Sequence, residues 1–396
     1  MIPVSILVSG IGTTSSLIRG GHGKRLGEIP RPVIAWNITA RCNLRCIHCY
    51  IDAGPQGYKG VSREDALKIL DQIIELGSPM IIFSGGEPLA RKDLLLELAS
   101  RAVDRGIKTV LSTNGTMIDR DIAKRIAEAG LSYVGISLDS TKAEWHDMFR
   151  GVRGSFEKAL RGARLVAEEG VHVGFRYTLT RYNIDEALNL VDLALEVGAK
   201  RITYYHLSYV GRALKLPLEW LPSPTQYFGF MDTLIDVVRR LAGKVEFETT
   251  MAPFDGIYIA LKTSSNPEDL FKKLEIVRGS GGCGRKILSI YPDGSVHPCQ
   301  FVDFIELGNA LREKLSTIVS RSLNSSLKPF IEPWNYVKKG RCSLCPFLRW
   351  CGGGDRVRAY YLGGSLDESD PYCPLHLTDH QSIKVSYKIP DHNHQA

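Results

Sequence analysis

The chain has 396 residues, 44% of them hydrophobic and 23% charged, with 50 Lys and Arg against 43 Asp and Glu for a net charge of +7. At about 150 residues per domain this length predicts two to three domains, and the composition excludes a wholly disordered or fibrous chain. No apolar run approaches the roughly 20 residues that span a bilayer, and the basic residues are scattered, which argues against a nucleic-acid or membrane partner and suits a polyacidic small molecule.

The opening "MIPVSILVSG" carries a short apolar stretch with no basic residue before it. It reads as structure and not as a signal peptide, which points to a cytoplasmic protein. From residue 33 to 206 one rhythm repeats, a short β-branched run followed by a longer amphipathic stretch. The predicted strands are "PVIAWNIT", "PMIIFSGG", "IKTVLSTNG", "LSYVGISLD", "VHVGFRYTLT" and "AKRITYYHLS". Helical patterns such as "SREDALKILDQIIELG" separate them, most ending in glycine (Gly77, Gly106, Gly130, Gly170, Gly198), a common helix stop. Six strand–helix units in series predict an α/β fold with a parallel sheet and helices outside it. After Ser208 the rhythm breaks at a Pro-rich linker, "GRALKLPLEWLPSPTQ", before a helix, a strand ("KVEFETT") and another helix. From "GSGGCG" onward the chain is rich in Gly and Cys. The expected units are an N-terminal extension (1–32), an α/β core (33–210), bridging helices (211–280), a Cys-rich domain (281–385) and a tail (386–396).

The nine cysteines fall in two groups, Cys42, Cys46 and Cys49 first, then Cys283, Cys299, Cys342, Cys345, Cys351 and Cys373. Grouped cysteines in an intracellular chain read as metal-binding. "CNLRCIHCY" directly follows a predicted strand, where parallel α/β layers place their working loops. Three thiolates on one tight loop can hold three corners of a cubane iron–sulfur cluster. With no cysteine between Cys49 and Cys283, the fourth corner stays open to a ligand, as the vacant position of a catalytic zinc does.

This pattern resembles the radical S-adenosylmethionine superfamily. The resemblance implies a partial (β/α)6 barrel with a 4Fe-4S cluster on Cys42, Cys46 and Cys49 that binds S-adenosylmethionine. It implies further cofactor contacts from "SGGEP" (Gly85, Gly86, Glu87), from Asn114 in "STNG", from Ser137 and Asp139 in "SLD", and from Arg150. One electron from a low-potential donor would cleave the cofactor to a 5′-deoxyadenosyl radical that abstracts hydrogen from an unactivated carbon. His48 reads as a packed ring.

The second group resembles the SPASM extension, which implies an auxiliary 4Fe-4S cluster on Cys342, Cys345, Cys351 and Cys373. Asp355 stands where that family has a further cysteine. A second auxiliary site is therefore expected only from Cys283 and Cys299, with Asp355 as an oxygen ligand. Across nearly the whole chain, "PVIAWNITARCNLRCIHCYIDAG", "HLSYVGRA", "YPDGSVHPCQF" and "CGGGDRVRAYYLGG" are similar to the enzymes that trim siroheme-derived iron tetrapyrroles in alternative haem and nitrite-reductase haem biosynthesis. The didecarboxysiroheme deacetylases, which remove two acetate side chains, are most alike, with oxidative decarboxylases next. "HPC" replaces an acidic "HPD" of the deacetylase type. A carboxylate-rich substrate predicts basic contacts, for which Arg176, Arg201, Arg212, Arg356 and Arg358 are the candidates. His206 and His297 read as structural. The rival classes are a SPASM enzyme that modifies a ribosomally made peptide, and a non-enzymatic iron–sulfur electron carrier.

Overall fold

The computed structural model describes residues 1–12, 25–26, 29–280, 282–323 and 325–377; the expected tail and the end of the expected Cys-rich unit lie outside them. The six predicted strands are β1 (Val33–Asn37), β2 (Met80–Ser84), β3 (Lys108–Thr113), β4 (Tyr133–Ser137), β5 (His172–Leu179) and β6 (Arg201–His206). They pair in sequence order, all parallel. Every residue of β1 is buried, as a parallel sheet covered on both faces requires. Strand side chains alternate between two faces. Ile81, Leu111, Val134, Phe175 and Ile202 are fully buried in the main apolar core, while Ser112, Gly135, Arg176 and Thr203 line a cavity.

Helices cross from strand to strand on the outside. The first, α1 (Arg63–Leu76), starts where the Ser62 hydroxyl accepts from Asp65 N–H at 3.0 Å and ends at left-handed Gly77. It buries Ile69, Leu70 and Ile73 on one face. The Pro-rich linker holds two short 3-10 turns, Gly211–Lys215 and Leu218–Trp220. After it come α2 (Pro224–Arg240), β7 (Glu246–Thr250), α3 (Pro253–Thr263) and α4 (Pro267–Gly279); α3 has no counterpart in the sequence reading. The helix Val4–Ser9 near the start of the chain packs on α2, α3 and β7.

The parallel sheet is wider than six strands. β7 adds to β6 with Arg201 opposite Glu246. At the other edge β8 (Ile287–Ile290) adds parallel to β1, with Ile287 opposite Val33 and Ile290 opposite Trp36. β8 belongs to the Cys-rich segment, so the sheet runs across residue 280. Beyond it, β9 (Ser295–His297) and β10 (Gly308–Asn309) continue antiparallel. Ile2 bridges the free side of β7, exchanging backbone bonds with Thr249. No helix among the described residues is long and apolar enough to cross a membrane.

Candidate functional site: a cysteine loop at the barrel mouth

β1 delivers the chain at its C-terminal end into residues 38–54, which carry the first cysteine group. Burial alternates there: Cys42, Leu44 and Cys46 are buried, while Arg41, Asn43 and Arg45 are exposed. Backbone bonds fix the loop, from Cys42 N to Gly54 O at 3.0 Å, Arg45 N to Arg150 O and Ile47 N to Phe149 O, both at 3.1 Å. The segment after β2 lies against it, with Gly86 N donating to Thr39 O at 2.7 Å and Glu87 N to Arg41 O at 2.8 Å. A Cβ on Gly86 would sit 2.3 Å from Arg41 O, and one on Gly85 2.3 Å from Thr39 O. These glycines thus serve the approach of two backbones.

Gly86→Ala is expected to displace the cysteine loop, because backbone atoms are what the new methyl meets. Iron retained per chain after anaerobic reconstitution should fall several-fold with the far-ultraviolet circular dichroism spectrum unchanged. Undiminished iron would show that the loop tolerates the shift.

Donors are aimed at the sulfurs. Leu44 N and Asn114 Nδ2 donate to Cys42 Sγ at 3.4 and 3.8 Å, Arg150 Nη1 to Cys46 Sγ at 3.6 Å, and Ala53 N to Cys49 Sγ at 3.2 Å. Burial, then the Glu87 carboxylate, push the Cys42 thiol up to about 12, and burial raises Cys46 against the pull of Arg150. Thiolates in such a setting need cations, which iron supplies. The donor set fits a cluster, with three sulfurs on one loop, N–H groups directed at each, and none of the other cysteines near in sequence.

Arg150 ends the helix Ala143–Arg150 and forms a buried ion pair with Asp139. Burial works against both charges, yet each holds the other ionised: the Asp139 carboxyl lies below its ordinary range and the Arg150 pKa is raised. Asp139 also accepts from Thr178 N at 2.8 Å. Arg150 therefore ties Cys46 to β4 and β5 and is committed before any cofactor carboxylate arrives. Glu87 is committed too. Its buried carboxylate accepts from Thr113 Oγ1 at 2.7 Å, Asn114 N at 2.8 Å and Leu89 N at 3.0 Å, so its first role is to join the β2 and β3 ends. Ser137 Oγ accepts from Arg176 Nη2 at 3.0 Å, and Arg176 also holds Ser112 and the Thr113 carbonyl. His48 stacks on Phe149 with centroids 4.2 Å apart, and burial, then Arg150, lower its pKa to about 3.

All five arginines expected to face substrate make contacts within the protein, Arg176 with Ser112, Thr113 and Ser137, and three of them, Arg176, Arg201 and Arg356, also line the cavity. Arg201 is buried in β6, bonded to Glu246 at 2.7 Å and 3.8 Å from Glu248. Arg212 clamps the cysteine loop, donating to Asp52 Oδ1 and Cys46 O at 2.7 Å and to Ala53 O at 2.5 Å. Arg356 is bound by the carbonyls of Gly353, Leu366 and Glu368. Arg358, fully buried, pairs with Asp370 at 2.7 Å and donates to Leu207 O and Met251 O at 3.0 and 2.7 Å. Arg176 lines the cavity.

In the Cys-rich segment, Cys342, Cys345, Cys351 and Cys373 come together. Burial first, and then the Cys342 and Cys345 charges, push Cys351 up; burial, with Cys351 and Asp370, pushes Cys373 up. Three successive left-handed glycines, Gly352 to Gly354, turn the chain after Cys351, and a Cβ on Gly354 would lie 2.4 Å from that of Asp370. The four thiols are thus within electrostatic reach of one another, an all-sulfur donor set of the chemistry that an iron–sulfur centre takes. Of the expected second auxiliary set, Cys283 and Cys299 lie side by side, joined as a disulfide. Asp355 caps a helix through Val357 N at 3.0 Å, accepts from Ser208 Oγ at 3.1 Å and lies 3.6 Å from Arg358. His206 bonds Asp255 at 2.9 Å and His297 bonds Ser295 at 3.0 Å, both buried.

A cavity of about 1510 Å³ joins the barrel lumen to this segment, lined by Ser112, Arg176 and Tyr205 on one side and by Cys283, Phe301 and Trp334 on the other. That exceeds the usual range for one drug-sized ligand. A hydrogen-bonded layer of Thr113, Glu87 and Asn114 links Arg176 in its wall to Cys42. The sequence reading missed this layer's Thr113, and also Tyr50, whose hydroxyl bonds Asn37 at 2.8 Å; the position of Tyr50, next to Cys49, was the available signal.

The model of the radical SAM superfamily matches residues 36–194, and that of an iron–sulfur cluster-binding (SPASM) domain matches residues 282–348. Fe-coproporphyrin III synthase of Methanosarcina barkeri is 38% identical over 95% of this chain and 98% of its own. Pre-heme d1 synthase of Dinoroseobacter shibae is 34% identical over 87% of each chain, and PqqA peptide cyclase of Granulibacter bethesdensis 28% over 89% of each. Among solved structures, native anSMEcpe with bound AdoMet superposes with a TM-score of 0.66 at 23% identity, covering 88% of this chain and 95% of that one.

Proposed function

Because the chain belongs to the radical SAM superfamily and carries a SPASM iron–sulfur domain, we propose that it cleaves side-chain carbon–carbon bonds of an iron tetrapyrrole, removing acetate arms in the deacetylase manner. The observation that carries this reading is the 38% identity to Fe-coproporphyrin III synthase along 98% of that enzyme, well beyond the cluster motifs. When bound, the cluster and S-adenosylmethionine supply one electron and hydrogen-atom abstraction; the chemistry is theirs and the protein orients it. Cys42, Cys46 and Cys49 hold the cluster, and Asn114 and Arg150 bond two of their sulfurs. Glu87, Thr113 and Arg176 tie the cysteine loop to the cavity wall, and hydrogen abstraction would require a substrate in the lumen to touch the cofactor directly. The cavity supports the reading in its size and in its lining, where Lys and Arg outnumber Asp and Glu. Cys342, Cys345, Cys351 and Cys373 hold the auxiliary cluster.

Anaerobic incubation of the reconstituted, reduced enzyme with siroheme-derived tetrapyrroles tests the proposal by product mass. The expected result is loss of one acetate arm per cut, with one 5′-deoxyadenosine formed for each. Deoxyadenosine release without change in any tetrapyrrole, while a peptide changes mass, would replace this reading with that of a peptide-modifying enzyme.

A further inference from the structure

The wall of the cavity is unevenly charged. Arg201 has its glutamates and Arg356 its carbonyls, but Arg278, Arg285 and Lys286 stand together where α4 turns into β8, and all three line the cavity. Arg285 Nη1 donates to Arg278 O at 3.2 Å. The turn is held on both sides, by Lys286 N on Gly282 O at 2.9 Å and by Val33 N on Lys286 O at 2.8 Å, so the heads project from fixed backbone. Among the described residues no carboxylate pairs with Arg285 or Lys286, and the single acid near Arg278 is Glu275 at 3.7 Å. Arg278 Nε is buried with no acceptor.

Apolar surface adjoins these cations. The Arg278 guanidinium lies over the Trp334 ring at 4.9 Å, and Phe330 and Ile331 continue the lining beside it. A flat apolar plate rimmed with carboxylates matches both features, its face on the aromatic shelf and its rim on the cations. We propose that Arg285 and Lys286, backed by Arg278, form a carboxylate-anchoring subsite that seats the acidic arms of the substrate in the cavity. The inference rests on the tetrapyrrole reading above and identifies which groups select a free acid.

Absorbance titration of the cluster-loaded protein with iron-coproporphyrin III and with its tetramethyl ester tests it. Wild type should bind the acid at least ten-fold tighter than the ester. In R285Q/K286Q the acid should weaken about ten-fold or more, with the ester within two-fold of wild type, and R285K/K286R should recover most of the acid's affinity. If R285Q/K286Q folds poorly, K286Q alone should weaken the acid three- to five-fold. Undiminished preference for the acid in R285Q/K286Q, or in K286Q where that variant is used, overturns the subsite. Wild type binding neither compound overturns the tetrapyrrole reading and the subsite with it.

Discussion

Cys42→Ser, Cys46→Ser and Cys49→Ser should each reduce 5′-deoxyadenosine formation to background when the reconstituted protein is reduced in the presence of S-adenosylmethionine. All three sulfurs sit on one loop, and each has its own N–H donor. A serine hydroxyl cannot replace them, since an alcohol gives up its proton to iron far less readily than a thiol does. Two sulfurs leave a cube free to dissociate. Cys345→Ser, in the other cysteine group, should keep deoxyadenosine formation and the low-potential paramagnetic signal of the reduced triad. Chromatography of the deoxyadenosine and spin resonance of the same samples provide the check. Activity at wild-type level in any of the three triad variants would remove the basis for the cluster assignment.

The second large effect concerns stability. Arg358 is fully buried and joins four segments, donating to Asp370, to the carbonyls of Leu207 and Met251, and lying 3.6 Å from Asp355. Leu207 follows β6, Met251 follows β7, and the two aspartates belong to the Cys-rich segment. Arg358→Met would remove the cation bonded to Asp370 and beside Asp355, and removing one partner of such a buried pair costs about 3–5 kcal/mol. The urea midpoint should fall accordingly, and adding Asp370→Asn should restore part of the loss by removing one stranded charge. A midpoint unchanged in Arg358→Met would mean that water reaches the network.

Much of this site was legible because its chemistry sits in contiguous motifs. The triad, "SGGEP" and "STNG" each follow a strand, and β-branched runs announce the strands themselves. The arginines were not legible. Arg201, Arg212, Arg356 and Arg358 differ from Arg285 only in what surrounds them, and long-range partners such as Glu246, Asp52 and Asp370 leave no mark at fixed spacing. The same holds for Glu87, expected as a cofactor contact, whose carboxylate also binds the β3 end. Residue type suggested a ligand; only the fold showed whether the group was already occupied. Cys283 and Cys299, read as metal ligands, are joined across 16 residues as a disulfide, a pairing that their spacing does not announce.

The pairing of Ile287–Ile290 with Val33–Asn37 makes the C-terminal module one stave of the cask that holds the cofactor. A cut at residue 280 would not release two working halves: it would expose the edge of the very strand that delivers the cysteine loop and leave the vessel open along its side.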